Sequence, residues 1–140
     1  MARRFGYKLP SILHIFFLPG IDGKKMSKSR NNAIFFNDTQ EMIRKKVNKA
    51  FSGGRDTAEE QRKYGADPEK DVSCFYLTKL FLDKKESKKL LEDYKSGKIL
   101  TKDVKHMLAE KLIKFTKDFQ KKLKKVNIQK VEKSILKNKK

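Results

Sequence analysis

The sequence predicts a mainly α-helical protein: a compact helical bundle preceded by a short α/β segment. Three observations predict it. From about residue 37 onward, helix-capping signals recur and glycine-containing breaks divide the chain into helix-sized pieces. The last piece carries Val104, Leu108, Leu112, Phe115, Phe119 and Leu123 at spacings of 4, 4, 3, 4 and 4, which is one helical stripe. Before residue 37 the pattern is different, a short apolar run followed by a loop rich in glycine and lysine.

Met1 to Lys8 is basic, contains Gly6, and reads as the tail of a preceding segment. Ser11 to Leu18 is rich in Ile, Leu and Phe and ends at Pro19, which predicts a short buried strand. Pro19 to Asn32 holds Gly20, Gly23, serines and asparagines, and reads as a loop; Ala33 to Phe36 reads as a brief extended piece. Asp38 with Glu41 forms a capping box for a helix to about Ala50, with Met42, Ile43 and Val47 on its apolar face, and Ser52-Gly53-Gly54 stops it. Thr57 with Glu60 opens a short helix ending near Gly65. Asp71 caps a third helix, in which Phe75, Leu77, Leu80, Phe81 and Leu82 predict burial on most sides. Asp83 and Glu86 open a fourth, ended by Ser96-Gly97, and Thr101 opens the fifth and longest. Beyond about Val126 the stripe thins to Ile128, Val131 and Ile135, and Leu136 to Lys140 is expected to fray.

A length of 140 residues fits one domain, or a small domain with an attached piece. Lysine and arginine number 36 against 17 acidic residues, a net charge of +19. Such an excess points to a polyanionic partner, nucleic acid first and an anionic membrane surface second. Residues 101–140 alone hold 14 lysines against four acidic residues, a net +10. The single cysteine, Cys74, excludes an intrachain disulfide and reads as a small buried apolar residue. No apolar run approaches the ~20 residues of a membrane span, and Ile12 to Ile21 is broken by His14, Pro19 and Gly20. A cytoplasmic location is the expectation.

Three groups of residues carry candidate chemistry. Lys25-Met26-Ser27-Lys28-Ser29, with Lys24 and the flexible Gly20 and Gly23 beside it, combines ammonium groups, hydroxyls and backbone N–H donors as a mobile polyphosphate loop does. The same residues also suit a plain solvated connector. Arg55 and Asp56 sit side by side after Gly53-Gly54, pairing a planar donor fork with carboxylate acceptors, a combination that reads the edge of an unpaired base. A capping turn with Thr57 as cap accounts for the same residues. Arg44, Lys45, Lys46 and Lys49 on the first helix, and the lysines of the last, form basic faces for phosphate contact or for solubility alone. His14 and His106 lack metal-ligand spacing, so no metal site is expected, and His14 reads as a hydrogen-bonded structural histidine. No nucleophile triad or paired carboxylates stand out.

The order of "LHIFFLPGIDGKKMSKS", "AIFFNDTQEMIRKKVNKAFSGGRDTAEEQRKYGAD", "DVSCFYLTKLF" and "LLEDYKSGKILTKDVKHMLAEKL" resembles the C-terminal part of the eukaryotic-type tryptophanyl-tRNA synthetases. KMSKS is similar to the second signature of class I aminoacyl-tRNA synthetases, and Ala50 to Glu60 is the most specific stretch. The sister tyrosyl enzymes have a similar loop but not this SGGRDT-x-EE sequence. Many eukaryotic-type members have KMSAS, so Lys28 is a departure, and the lysine-rich end after about Phe115 matches only loosely.

The resemblance implies a division into residues 1–36, the end of a Rossmann-like catalytic domain with the signature loop; 37–126, a helical anticodon-binding domain; and 127–140, a basic tail. It implies a ligase that joins L-tryptophan to tRNA-Trp through tryptophanyl-adenylate, with ATP and Mg²⁺ as the substrate complex. Carried over by position, Lys25, Met26, Ser27, Lys28 and Ser29 would contact ATP phosphates, with Lys25 and Lys28 stabilising pyrophosphate departure. Arg55 and Asp56 would contact an anticodon base; Lys45 and Lys49 join the candidate tRNA contacts from the basic face of the first helix, not from the resemblance. Class I activation also needs a His-x-Gly-His signature, which this sequence lacks. The resemblance therefore leads us to expect a partial enzyme, beginning at an internal methionine, inactive alone and monomeric although the family is dimeric. Ser11 to Leu18 is then expected to expose apolar surface. The alternatives are a stand-alone RNA-binding module and a protein-interaction module.

Overall fold

The computed structural model describes residues 17–127 together with Gly6, Leu13, His14 and Val131. Between residues 17 and 127 the α-helices follow in the order α1 (Gln40–Asn48), α2 (Ala58–Tyr64), α3 (Val72–Tyr76), α4 (Lys84–Lys95) and α5 (Thr101–Lys124). A π-helical turn, Leu77–Phe81, continues α3 and closes with Leu82 N–H donating to Leu77 O at 2.9 Å. No helix among the described residues is long and apolar enough to cross a membrane.

Local chemistry sets the helix starts. The Thr57, Asp71 and Asp83 side chains accept from the N–H groups of Glu60, Cys74 and Glu86, relieving donors that have no partner inside the helix. At Asp83 the box is reciprocal, since Glu86 accepts from the Asp83 N–H at 3.2 Å. The first helix differs from the sequence expectation. Its cap is Thr39, whose hydroxyl accepts from Met42 N–H at 3.2 Å. Asp38 is instead buried, accepts from Phe35 N–H at 2.8 Å and pairs with Lys46 at 2.6 Å. A buried carboxylate gains more from a cation than from a neutral N–H, and the neighbouring threonine is competent to cap. At α5, Leu100 takes the cap position and donates its N–H to Asp103 at 3.2 Å, because the Thr101 hydroxyl is engaged elsewhere.

The core lies between α1 and α5, with α3 and α4 closing it. Ile43 and Val47 meet Val104, Leu108, Leu112 and Ile113, and Leu77, Leu90 and Tyr94 fill the other side. The buried face of α5 also takes in Ala109 and Thr116, and so turns away from Phe115, Phe119 and Leu123, which are exposed. Met42 and Leu80, expected inside, are exposed too.

The α/β expectation fails for the first segment among the described residues. No strand forms there, and the only pairing is an isolated antiparallel bridge between Pro19 and Lys25. Leu13 is 87% and Phe17 62% exposed, so the apolar run is not buried as a strand of a sheet; Ser11, Ile12, Ile15 and Phe16 lie outside the described residues. Residues 33–36 carry no ladder either, having no partner strand. His14, read from the sequence as a hydrogen-bonded structural histidine, is exposed. The expectations for Met1 to Lys8 and for residues 128–140 fall almost wholly outside the described residues.

Candidate functional site

The loop from Pro19 to Asn32 has a fixed base and a free crest. Gly20 N–H donates to Lys24 O at 2.7 Å and Ile21 N–H to Asn32 O at 2.8 Å. The Asn32 carboxamide is the organiser: it donates to Asp22 Oδ1 at 2.8 Å and to Lys25 O at 3.1 Å, and accepts from Ser27 N–H at 2.8 Å. Asn32 is buried, and Gly20 leaves it room: a Cβ on Gly20 would lie 2.9 Å from Asn32 O and nearer still to its carboxamide. The Lys24 backbone N–H and then the Asn32 carboxamide hold the Asp22 carboxyl below its ordinary range. Lys24, Lys25 and Lys28 are exposed and form no ion pair among the described residues, and the Ser27 and Ser29 hydroxyls meet at 2.8 Å. The crest therefore offers uncommitted ammonium groups beside a pair of mutually bonded hydroxyls, a set suited to phosphate oxygens. Asn32 and Asp22 were not anticipated; an asparagine closing a glycine-rich loop was the available signal.

The second site is the turn at residues 51–57. Gly53 N–H donates to Asp71 Oδ2 at 3.1 Å, and Asp67 N–H donates to Gly53 O at 2.8 Å. A Cβ on Gly53 would strike the Asp67 backbone, and one on Gly54 the Thr101 hydroxyl, so both glycines are needed for close approach. Arg55 and Asp56 emerge exposed from this packed base. Arg55 Nε donates to Gly65 O at 3.2 Å, which ties one donor to the packed base and leaves the terminal amino groups of an exposed side chain for other acceptors. Thr57 caps α2 as well, so the capping role and the presentation of Arg55 and Asp56 coexist.

Behind the turn runs a buried polar chain that the sequence did not announce. Asp71 accepts from Gly53 N–H, from Cys74 N–H at 2.9 Å and from Tyr94 OH at 2.8 Å. Tyr94 OH meets Thr101 Oγ1 at 2.8 Å, and Thr101 donates to Gln61 Oε1 at 2.9 Å. Burial, and then the Asp71 charge, push the Cys74 thiol far above its ordinary range, so Cys74 is an inert core residue. Burial likewise raises Tyr76 to about 12, while its hydroxyl donates to Pro19 O at 2.6 Å.

The basic face of α1 divides. Lys46 is largely buried against Asp38 and sits 4.8 Å from the Phe35 ring, so it is structural. Arg44 pairs with Glu110 at 2.6 Å and Lys45 with Glu41 at 2.8 Å, both at the surface. Lys49 is exposed with no ion pair among the described residues.

The loop and the turn are not one pocket. They join through Phe51, whose N–H donates to Ile21 O at 2.7 Å and whose carbonyl accepts from Val72 N–H at 3.2 Å. A cleft of about 420 Å³ beside this junction is walled by Lys24, Phe51, Lys70 and Phe75, but by none of Lys25 to Ser29, Arg55 or Asp56. Among the described residues no three His, Cys, Asp or Glu side chains are grouped to hold a metal ion.

Comparison with known proteins identifies the family. A family profile, tRNA synthetases class I (W and Y), matches residues 1–117. Human cytoplasmic tryptophan–tRNA ligase is 46% identical over 116 residues, covering 80% of this chain and 25% of the relative. The tryptophan–tRNA ligase of Sulfurisphaera tokodaii is 39% identical over 127 residues, covering 87% of this chain and 33% of that protein. The solved tryptophanyl-tRNA synthetase from Giardia lamblia superposes with a TM-score of 0.86 at 42% identity, covering 98% of this chain and 35% of that one. The chain thus spans about a quarter to a third of the length of the curated relatives it matches.

Proposed function

The chain belongs to the class I tRNA synthetases of the tryptophan and tyrosine group, and from that premise we propose that it supplies two parts of a tryptophan–tRNA ligase: the loop that handles ATP phosphates and the surface that reads the anticodon of tRNA-Trp. Residues 1–36 are the end of the catalytic domain, 37–126 the anticodon-binding domain and 127–140 a basic tail. In the complete ligase, ATP with Mg²⁺ and L-tryptophan are the substrates of the first step. Lys25 and Lys28 bring two positive charges to the phosphate oxygens, where negative charge grows as pyrophosphate departs. Met26, Ser27 and Ser29 complete the loop's contact with the nucleotide. The observation that carries this reading is the contrast within the loop, whose base is tied down by Asn32 while its lysines are uncommitted.

Arg55 and Asp56 offer donors and acceptors to an anticodon base, and Lys49 and Lys45 neutralise nearby phosphates. The Lys45–Glu41 pair does not oppose this, because an exposed pair of this kind contributes only about 0.3–0.5 kcal/mol and exchanges readily for phosphate. The 140 residues contain no His-x-Gly-His sequence. By themselves they bind tRNA as a monomer and do not form the adenylate.

Binding of the purified chain to tRNA-Trp and to an anticodon-altered tRNA-Trp, each at two salt concentrations, tests the anticodon assignment. The expected result is a preference for tRNA-Trp that the Arg55→Ala/Asp56→Ala variant loses. Equal binding of both tRNAs, abolished together by salt, would instead make the isolated chain a polycation with no anticodon recognition of its own.

A further inference from the structure

At the opposite end of α1 from Phe51 lies a cleft of about 370 Å³ between the start of α1 and the second half of α5. Its walls include Thr39, Gln40, Thr116, Lys117 and Gln120. Nine residues of helix, roughly 13 Å at 1.5 Å per residue, separate it from the end of α1 that leads to the Arg55 turn. Three features of this cleft suit a phosphate group. The first-turn N–H groups of Gln40 and Glu41 have no acceptor, since Thr39 serves only Met42 and Ile43. Thr116 is 4% exposed and lines the cleft, yet its hydroxyl makes no hydrogen bond among the described residues. Thr78, by contrast, turns its hydroxyl back onto Cys74 O at 2.8 Å, the usual resort of a helical threonine. Lys117 adds a cation at the wall. The one carboxylate there, Asp38, is already neutralised by Lys46, and Glu41 is paired with Lys45.

Beside the cleft is an aromatic platform. Phe36 is 54% exposed and stacks on Phe119 with ring centroids 4.5 Å apart, and Phe115 lies 6.0 Å from Phe36. Gln120 links the two features: it lines the cleft and donates to Phe36 O at 2.7 Å. Residues 114–122 carry four lysines against one aspartate. Two unpaired first-turn N–H groups and the Thr116 hydroxyl at the cleft, an exposed ring beside them and a basic surround together match a nucleotide of a single strand.

We infer that the cleft between the N-terminus of α1 and α5 binds a backbone phosphate of single-stranded RNA, with an adjoining base stacked on Phe36. This is a second RNA contact, at the other end of α1 from Arg55 and Asp56, and it stands whether or not those residues read an anticodon.

The test is fluorescence anisotropy of the full chain with a labelled unstructured oligouridylate, with inorganic phosphate and polyglutamate as competitors. The variants are Thr116→Val, Lys117→Ala and Phe36→Leu, with Lys85→Ala on α4 as a charge-matched control. Phe36→Leu is expected to weaken RNA at least about fivefold, the low end of a lost base–aromatic stack. Thr116→Val and Lys117→Ala each weaken it about threefold or more, while Lys85→Ala changes it less than twofold. Equal losses for Lys117→Ala and Lys85→Ala would overturn the site, because the binding would then be charge alone. Phosphate binding that depends on Thr116, with RNA binding indifferent to Phe36→Leu, would reduce the cleft to an anion site and refute the RNA contact. Polyglutamate competing as well as RNA, with the same dependence on Phe36, would assign the surface to acidic protein instead. Lys117 is exposed, so its variant reports even if Thr116→Val perturbs folding.

Discussion

The Asn32 side chain joins Asp22, Lys25 and Ser27, residues that span the rising limb and the crest of the lysine loop. Replacing it with alanine removes these bonds and leaves partly buried backbone groups without partners, a local cost of about 1–3 kcal/mol. The Asn32→Ala chain should therefore keep its helices while the Ser27 amide exchanges with solvent about ten- to hundredfold faster, since about 1.4 kcal/mol is a factor of ten. Unchanged exchange at Ser27 would show that the loop is held by its backbone bonds alone. Acid should loosen the same loop. Asp22 has a lowered pKa in the fold, so its contribution is fully present above the ordinary carboxylate range and is lost as pH falls through the lower folded value. The protection of the Ser27 and Gly20 amides, taken relative to the unstructured exchange rate at each pH, should hold at neutral pH and fall only below about pH 4.

At the scale of elements, the start of α1 separates two roles that the sequence merges. Thr39→Ala removes a cap and should cost about 1 kcal/mol. Asp38→Ala strands the largely buried Lys46 and should cost about 3 kcal/mol, toward the lower end for a broken buried pair. Denaturant titration of the two variants decides it, and the reverse order would return the cap to Asp38. The same comparison shows what a sequence can and cannot carry. Thr57, Asp71, Asp83, Gly65 and Gly97 act where capping and turn rules put them, because those interactions are local. Asp38 was misread because its partners, Phe35 and Lys46, are chosen by burial rather than by spacing. The α5 stripe was half right for a similar reason. Val104, Leu108 and Leu112 face α1, but the contact then moves to Ile113 and Thr116, and a list of apolar residues omits a threonine. At the candidate sites the lysines and the Arg55–Asp56 pair were visible as motifs. Asn32 and the Asp71–Tyr94–Thr101–Gln61 chain were not: Asn32 acts across a loop that has no helix or strand period to mark its partners, and the chain joins residues as far as 40 positions apart.

For the whole molecule, charge is the dominant long-range term. The net charge is +19, and of the six ion pairs described only Lys46–Asp38 is buried. The exposed pairs contribute about 0–1 kcal/mol each, too little to offset repulsion among unpaired lysines spread over α4, α5 and the loop. Added salt screens that repulsion more than it weakens the buried pair. Raising salt from about 20 mM to about 200 mM, which shortens the Debye length from roughly 20 Å to 7 Å, should therefore raise the thermal midpoint. RNA binding should move the opposite way over the same range, because counterions released on phosphate contact must be released against a higher concentration. A scan of melting and of RNA affinity on one salt series reads both. If the midpoint falls with salt, attraction within the local pairs outweighs repulsion, and the excess charge is already balanced in the free protein. If it rises while RNA affinity falls, the unpaired lysines strain the free molecule and are relieved by a polyanion, so the same charges that limit stability supply the driving force for binding.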